Sequence, residues 1–293
     1  MSKVVISYDG CGQTCNRFWS WIPLFLLKKR ENVRVYILLP VYHLKYFPKL
    51  IQYFAFPCCS INQFFFRFLG YNKVKGIYWR MFNNRVAISI YKYINKFFSR
   101  KIFINAWDMV MNMESLKLDT SEKEIVRELF SPSDKVKKDV DEQFTNIRSD
   151  FDIIVGVHIR RGDYLQYHKG MFYYTNDKYW EVMTQMKKIY APKKICFIIC
   201  SNEVIDLNAF KEIDCQCIKI ASAVHDLYAL SKVDYIIGPP STFSKWASFI
   251  GDVPLAELLP GEFFITKEHF FVCDSFKFRM ESLLLIKKGE IIC

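Results

Sequence analysis

The sequence predicts an α/β protein of two domains, residues 1–149 and 150–293, each built on a parallel sheet in the manner of a Rossmann-like domain. Three observations predict it. At 293 residues the chain is long enough for two modest cores. From residue 150 onward short apolar runs alternate with helical stretches, the pattern of β–α–β units. The N-terminus opens as strand, glycine-bearing loop, helix, strand, which is a second βαβ start.

The elements follow in order. Val4–Tyr8 reads as a strand, and Asp9 to Asn16 as a loop holding Gly10 and Gly12. A helix follows with Phe18, Trp21, Ile22, Phe25 and Leu26 at the three-and-four spacing of one face. Val33–Leu39 is a second strand. Residues 41–104 read as mostly helical with poor periodicity, and Ile102 to Asp108 as a strand leading into a loop. Ser121 and Glu124 fit a capping box for a helix through Phe130, which Pro132 ends. Ser133 caps a further helix with Val136, Val140, Phe144 and Ile147 inward, so two charged helices bridge the domains.

In the second half Ile153–Ile159 is a buried strand, and Arg160–Thr175 is a βα loop of unusual length. Asn176 or Asp177 caps a helix with Tyr179, Val182, Met183, Met186 and Ile189 inward. Strand Ile195–Cys200, helix Glu203–Lys211, strand Gln216–Ile220 and a helix from Asp226 to Ser231 come next. Strand Tyr235–Gly238 leads to a helix beginning near Thr242, then to strand Val253–Leu258.

Charge is unevenly placed. The formal net charge is +11. Between Asn32 and Trp107 there is no Asp or Glu, but there are twelve Lys or Arg, interleaved with aromatics such as Phe64, Phe65, Phe66, Phe68 and Trp79. That mixture suits an anionic membrane surface; it also fits a packed helical core with solvated lysines. Nucleic acid is the weakest fit, because no RNP, zinc-finger or helix-turn-helix signature accompanies it. No apolar run approaches the ~18 residues of a membrane span. The N-terminus runs straight into a strand, which is no signal peptide. Ten cysteines without repeating spacing, two of them in the apolar strand Ile195–Cys200, read as reduced thiols of a cytoplasmic protein. Cys11 with Cys15, and Cys215 with Cys217, lack the His or Cys neighbours a zinc site needs.

The stretch with the most chemistry is VGVHIRRGDY, residues 155–164. It is an apolar strand that opens into His158, Arg160, Arg161, Asp163 and Tyr164. In open α/β sheets ligands bind beyond the carboxyl ends of strands. Arginine there suits a phosphate, since its fork makes two parallel bonds and stays charged. A solvated Arg–Asp pair is the plainer alternative. Ser241-Thr242 stand between a strand and a helix, where free N–H groups and two hydroxyls favour an anion; helix caps alone would look the same. Asp226 near a helix start is either a cap or a carboxylate aimed at paired donors.

The run His158-x-Arg160-Arg161-x-Asp163-Tyr164 resembles the HxRRxDY motif of the α-1,2-fucosyltransferases, shared in looser form by α-1,6- and protein O-fucosyltransferases. Ser241-Thr242-Phe243 is similar to that family's STF segment, and HDLYALSKVDYIIG to its DxxxLSxxD segment. The resemblance covers about Phe151 to Gly251 well and the first half thinly. The first loop keeps Gly10, Gly12 and Asn16 but departs in order and spacing from the family's GxLGNQ-type loop, and Asn202 stands where the family often has Asp.

The resemblance implies a glycosyltransferase-B (GT-B) type architecture, with an acceptor-binding first domain and a GDP-sugar-binding second one. It implies inverting transfer of fucose from GDP-fucose to a galactoside glycan, lipid-linked if the basic span docks on the inner face of a membrane. Arg160 and Arg161 are then the catalytic arginines, Arg160 clamping the pyrophosphate and Arg161 chemical or structural. His158 and Asp163 orient them, Ser241 and Thr242 meet the phosphate, Phe243 lies near the guanine, and Asp226 accepts its N1–H and N2–H. Asp9 and Asp108 are candidate bases beside Asn16 at the acceptor. No carboxylate pair of metal-ligand type stands at a strand end, so metal-independent transfer without a cofactor is expected. Two alternatives stay open: a transferase of another nucleotide sugar, and a basic peripheral membrane or nucleic-acid-binding protein.

Overall fold

A computed structural model of the chain describes residues 3–8, 12–82, 84–97, 101–112, 118–261 and 264–274. The chain divides into two compact units, Met1–Ser133 and Asp134–Cys293.

The first unit has a three-stranded parallel sheet in the order β2-β1-β3, formed by β1 (Val4–Ser7), β2 (Arg34–Ile37) and β3 (Lys101–Ile104). Helix α1 (Thr14–Glu31) follows β1. Its inward residues are more numerous than one stripe: Phe18, Trp21, Leu24 and Phe25 are fully covered, and Pro23 sits inside the helix. Four helices fill the span between β2 and β3, namely α2 (Pro48–Tyr53), α3 (Cys59–Leu69), α4 (Tyr71–Phe82) and α5 (Arg85–Phe97). After β3 the chain enters α6 (Ala106–Asn112) rather than the expected loop.

Helix α7 (Thr120–Leu129) begins at a capping box of Asp119 and Glu122, two residues earlier than the Ser121–Glu124 pair. The Asp119 carboxylate accepts from Glu122 N at 2.7 Å, and Glu122 Oε2 accepts from Asp119 N at 3.1 Å. Arg30 also grips Glu122 through Nε and Nη2, at 2.8 and 2.6 Å, and holds its carboxyl below the usual range. This ties α7 to α1.

Helix α8 (Asp134–Asp150) buries Val136, Val140, Phe144 and Ile147 as its spacing predicts, and also Gln143. It belongs to the second unit, so the division falls at Ser133/Asp134 rather than 149/150. The reason is visible in its bonds. Gln143 donates to the Cys217 carbonyl at 3.0 Å, and Arg148 forks onto Asp234 at 2.5 and 3.0 Å. Asp234 in turn accepts from Ile154 N at 2.7 Å, which makes it a structural clasp.

The second unit is a five-stranded parallel sheet, order β6-β5-β4-β7-β8. Its strands are β4 (Ile153–Ile159), β5 (Ile195–Ser201), β6 (Cys215–Cys217), β7 (Tyr235–Gly238) and β8 (Leu255–Glu257). Every residue of β4 is buried, as expected of a central parallel strand covered on both faces. Helices α9 (Asn176–Tyr190), α10 (Ala223–Leu230) and α11 (Thr242–Gly251) connect it. The core joins Val155, Val157 and Ile159 with Tyr179, Met183 and Phe197. A Cβ on Gly156 would lie 2.5 Å from Leu230 Cδ2, so this glycine lets α10 pack close on β4.

Helix α10 begins at Ala223 rather than Asp226, and three other expected elements differ. Residues 203–211 hold a short turn, Leu207–Ala209, which Asp206 caps by accepting from Asn208 N at 3.0 Å. The strand placed at 216–220 is Cys215–Cys217, and the last strand is shorter than 253–258. Of the aromatic tail, Phe271 pairs antiparallel with Leu255; residues 275–293 lie outside the described ones.

Candidate functional site

The parallel order of the second sheet sends the carboxyl ends of β4, β5 and β6 to one edge, and a cavity of about 510 Å³ lies there. His158 and Arg160 at the end of β4, Cys200 to Ile205 at the end of β5 and just beyond it, Asp226 from α10 and Phe243 from α11 all line it. Thus four segments more than fifteen residues apart in sequence converge on one cavity.

Strand β4 buries His158 one residue before its carboxyl end. Its Nδ1 lies 2.6 Å from Ser244 Oγ, and its ring is 5.0 Å from that of Phe243. Burial, with the Arg160 charge beside it, pulls the imidazole pKa down to about 3, so the ring is neutral. His158 therefore packs the cavity wall and does not hold an arginine, contrary to the expected orienting role.

Arg160 leaves the strand end for the cavity. Its Nη2 reaches both Asp163 oxygens, at 2.8 and 2.9 Å, and its guanidinium lies 5.6 Å over the Tyr164 ring. Of the two arginines that Asp163 is expected to orient, the short turn Gly162–Leu165 folds it back onto Arg160 alone. Gly162 permits that turn with φ +63°. Arg161 points elsewhere. Its Nη2 donates to Asn176 Oδ1 at the start of α9, and its guanidinium lies 5.9 Å from the Tyr173 ring. It does not line the cavity.

Asn176 is thus spent on Arg161 and does not cap α9, whose N-cap is Thr175. Asn202, which carries no role in the sequence reading, brackets the backbone of Arg161. It accepts from Arg161 N at 2.8 Å and donates to Arg161 O at 3.1 Å. The signal was present in the sequence as a polar residue directly after an apolar strand.

Asp226 stands in the first turn of α10, but the cap is Ser222, whose Oγ accepts from His225 N. The cap alternative for Asp226 falls away. Its carboxylate bonds to no other described residue, and burial raises its pKa from an ordinary 3.8 to about 7. Ser241 caps α11, accepting from Phe243 N at 3.2 Å, and Tyr164 donates to the Pro240 carbonyl at 2.7 Å to pin the approach. Of the trio Ser241, Thr242 and Phe243, only Phe243 lines the cavity.

The acceptor-side candidates lie in the first unit. Asp9 falls outside the described residues. Asp108 is exposed in the first turn of α6, and Asn16 is half-buried in the first turn of α1, packed against Gly12. The cysteines at 15, 58, 196, 200, 215, 217 and 273 are free. No group of three or more His, Cys, Asp or Glu among the described residues could hold a metal ion.

Two successive α/β units with parallel sheets form the fold of the GT-B type glycosyltransferases. Residues 121–258 match the model of glycosyl transferase family 11, which bears out the resemblance read from His158 to Tyr164. No curated protein sequence matches the chain. Among solved structures the chain is similar to fucosyltransferase NodZ from Bradyrhizobium, at 15% identity and TM-score 0.55, covering 89% of this chain and 97% of that one. It is similar to POFUT1 in complex with GDP, at 11% identity and TM-score 0.53, covering 86% and 95%. A mutant of Arabidopsis thaliana FUT1 in complex with GDP matches at 14% identity and TM-score 0.52, covering 92% and 73%.

Proposed function

We propose that this chain is an inverting fucosyltransferase that moves L-fucose from GDP-fucose to a galactoside glycan in α-1,2 linkage. The observation that carries the reading is the convergence of Arg160, Asp226 and Phe243 on one cavity at the carboxyl edge of a parallel sheet. Its volume of about 510 Å³ suits a nucleotide-sized ligand. The family region and the GDP-bound and GDP-fucose-soaked relatives, including an α-1,6-fucosyltransferase soaked with GDP-fucose, support the donor.

In this reading the acceptor hydroxyl oxygen bonds to C1 of fucose, the bond from C1 to the phosphate oxygen breaks, and GDP departs with the electron pair. Negative charge builds on the β-phosphate. Arg160 answers it: only Nη2 is engaged by Asp163, and the remaining N–H groups are left for a phosphate fork. The N-terminus of α11, with the Ser241 and Thr242 hydroxyls, adds donors. Asp226 accepts the paired N–H edge of guanine beside Phe243, in a wall kept neutral at His158. Arg161 shapes the loop and leaves the chemistry to Arg160. The proton of the acceptor hydroxyl leaves to a base in the first unit, for which Asp9 and Asp108 are the candidates. The acceptor is a glycan carried on a lipid, which the acid-free basic span supports.

A thermal-shift series with GDP, GDP-fucose, UDP and GMP tests the donor. GDP and GDP-fucose stabilise the chain, and UDP and GMP do so far less. Equal stabilisation by UDP turns the reading to another nucleotide sugar.

A further inference from the structure

Helices α3, α4 and α5 each have apolar residues in two sets. One set completes the first unit. Phe66 and Val74 are buried against Leu39, Tyr91 stacks on Phe103 at 4.9 Å, and Asn95 exchanges two bonds with the Phe103 backbone at 2.8 and 2.7 Å. Among the described residues nothing covers the other set. On α5, Val86, Ile90, Tyr93 and Phe97 recur at the spacing of one helix face and are 69%, 50%, 60% and 59% exposed. On α3, Ile61, Phe64, Phe65 and Phe68 form a like stripe, with Phe64 and Phe68 rings 4.6 Å apart. On α4, Ile77, Trp79 and Met81 are exposed as well. Single exposed apolar residues are ordinary; stripes on two neighbouring helical segments, with further exposed apolar residues on the helix between them, are not.

The charge beside these stripes says what covers them. Arg67, Lys73, Arg80, Arg85, Lys92 and Lys96 are all exposed, and among the described residues none pairs with a carboxylate. The whole stretch from Asn32 to Trp107 has no acid. A second copy of the chain would bring the same positive face against this one, which like-charge repulsion disfavours. A nucleic acid would use the cations and leave Val86, Ile61, Ile77 and Met81 wet. An anionic bilayer answers both sets at once: acyl chains for the aliphatic residues, headgroups for the cations, and the boundary between them for Trp79 and Tyr93. Among the described residues no helix is long and apolar enough to cross a membrane, so these helices would lie on its surface.

We propose that α3, α4 and α5 dock the chain on an anionic phospholipid surface, with the stripes Ile61–Phe68 and Val86–Phe97 entering the interface. Docking deepens the lipid-linked acceptor reading, yet vesicle binding needs no transfer, so the two fail separately.

The test is flotation with vesicles of phosphatidylcholine alone or mixed with phosphatidylglycerol, at low and moderate salt. The wild-type chain floats with the anionic vesicles and not with the neutral ones, and added salt weakens binding. Reversing three cations together (Arg85→Glu, Lys92→Glu, Lys96→Glu) lowers binding by more than about a hundredfold. The pairs Ile90→Ser with Phe97→Ser, and Phe64→Ser with Phe68→Ser, remove the binding that survives moderate salt. These residues are exposed, so melting temperature and GDP binding stay at wild-type values in all three variants. Failure of the wild type to float with anionic vesicles at low salt overturns the proposal. So does flotation unchanged in the variants, or a dimer in sedimentation velocity that the α5 pair dissolves.

Discussion

Asp226→Asn separates stability from binding, because the two effects have opposite signs. The Asp226 carboxyl is raised from 3.8 to about 7 by burial, so the folded chain without ligand prefers it protonated. The sign follows. Below about pH 4 both folded and unfolded states hold the proton and nothing is lost. Between about pH 4 and pH 7 the unfolded state ionises first, and stability falls as pH rises. Above pH 7 the full cost is present, with a ceiling of about 4 kcal/mol. Asparagine cannot ionise, so at pH 8 the ligand-free variant melts at a higher temperature than the wild type, and the gain disappears toward pH 4. Binding goes the other way. The guanine edge offers two donors, and an amide accepts one bond while turning a donor against the other. GDP affinity therefore drops by about 1–3 kcal/mol. Wild-type affinity also falls as pH drops below about 7, up to about tenfold per pH unit, because bound guanine requires the carboxylate. The variant has a flat profile. Differential scanning calorimetry and titration calorimetry across pH 5–8 read both effects. Equal GDP affinity and equal pH profiles in the two proteins would refute the role of Asp226.

Arg160→Lys keeps the charge and loses the fork, and turnover falls about 10²–10³-fold with a smaller change in KM, while Arg161→Lys lowers melting temperature more than turnover. A variant Arg160→Lys that keeps more than about a tenth of wild-type turnover removes Arg160 from the catalytic role. Activity persists in EDTA, since the phosphate donors are arginine, hydroxyl and backbone N–H; abolition by chelation with recovery on Mn²⁺ or Mg²⁺ contradicts this. Gly238→Ala places a Cβ 2.8 Å from the His158 carbonyl oxygen, a backbone atom that cannot move aside. The expected loss is about 1–3 kcal/mol by urea unfolding, and an unchanged midpoint would refute the close packing of β4 on β7.

Strands β4 and β7 are legible in the sequence because each is an apolar run bounded by polar residues, and β4 also carries the motif at its end. Helix α8 is legible from four inward residues at helical spacing. Residues 203–211 mislead, because Val204 and Leu207 suggest an amphipathic face while Val204 in fact stands wholly in solvent. The start of α7 is decided by Arg30, which lies 92 residues away and draws Glu122 into the capping box. No local pattern shows that partner. The arginines show the same limit. Which of Arg160 and Arg161 takes Asp163 depends on the turn after β4, and the grip of Asn202 on Arg161 depends on β5 lying beside β4 with Ile159 opposite Ser201. Residue identity marks the site; sheet order and turn geometry assign the partners. The apolar stripes on α3 and α5 were hidden for a related reason: composition shows the aromatics and cations, and only the packing shows which side chains the core leaves over.

The most direct test of the whole account is incubation with GDP-fucose and a panel of β-galactosides, with the linkage of the product read by NMR. The account predicts a fucosylated galactoside with fucose in α linkage on the 2-hydroxyl, and no turnover with UDP-sugars. Transfer to a 6-hydroxyl or to a peptide hydroxyl would contradict the linkage, and turnover of another nucleotide sugar with none of GDP-fucose would contradict the donor.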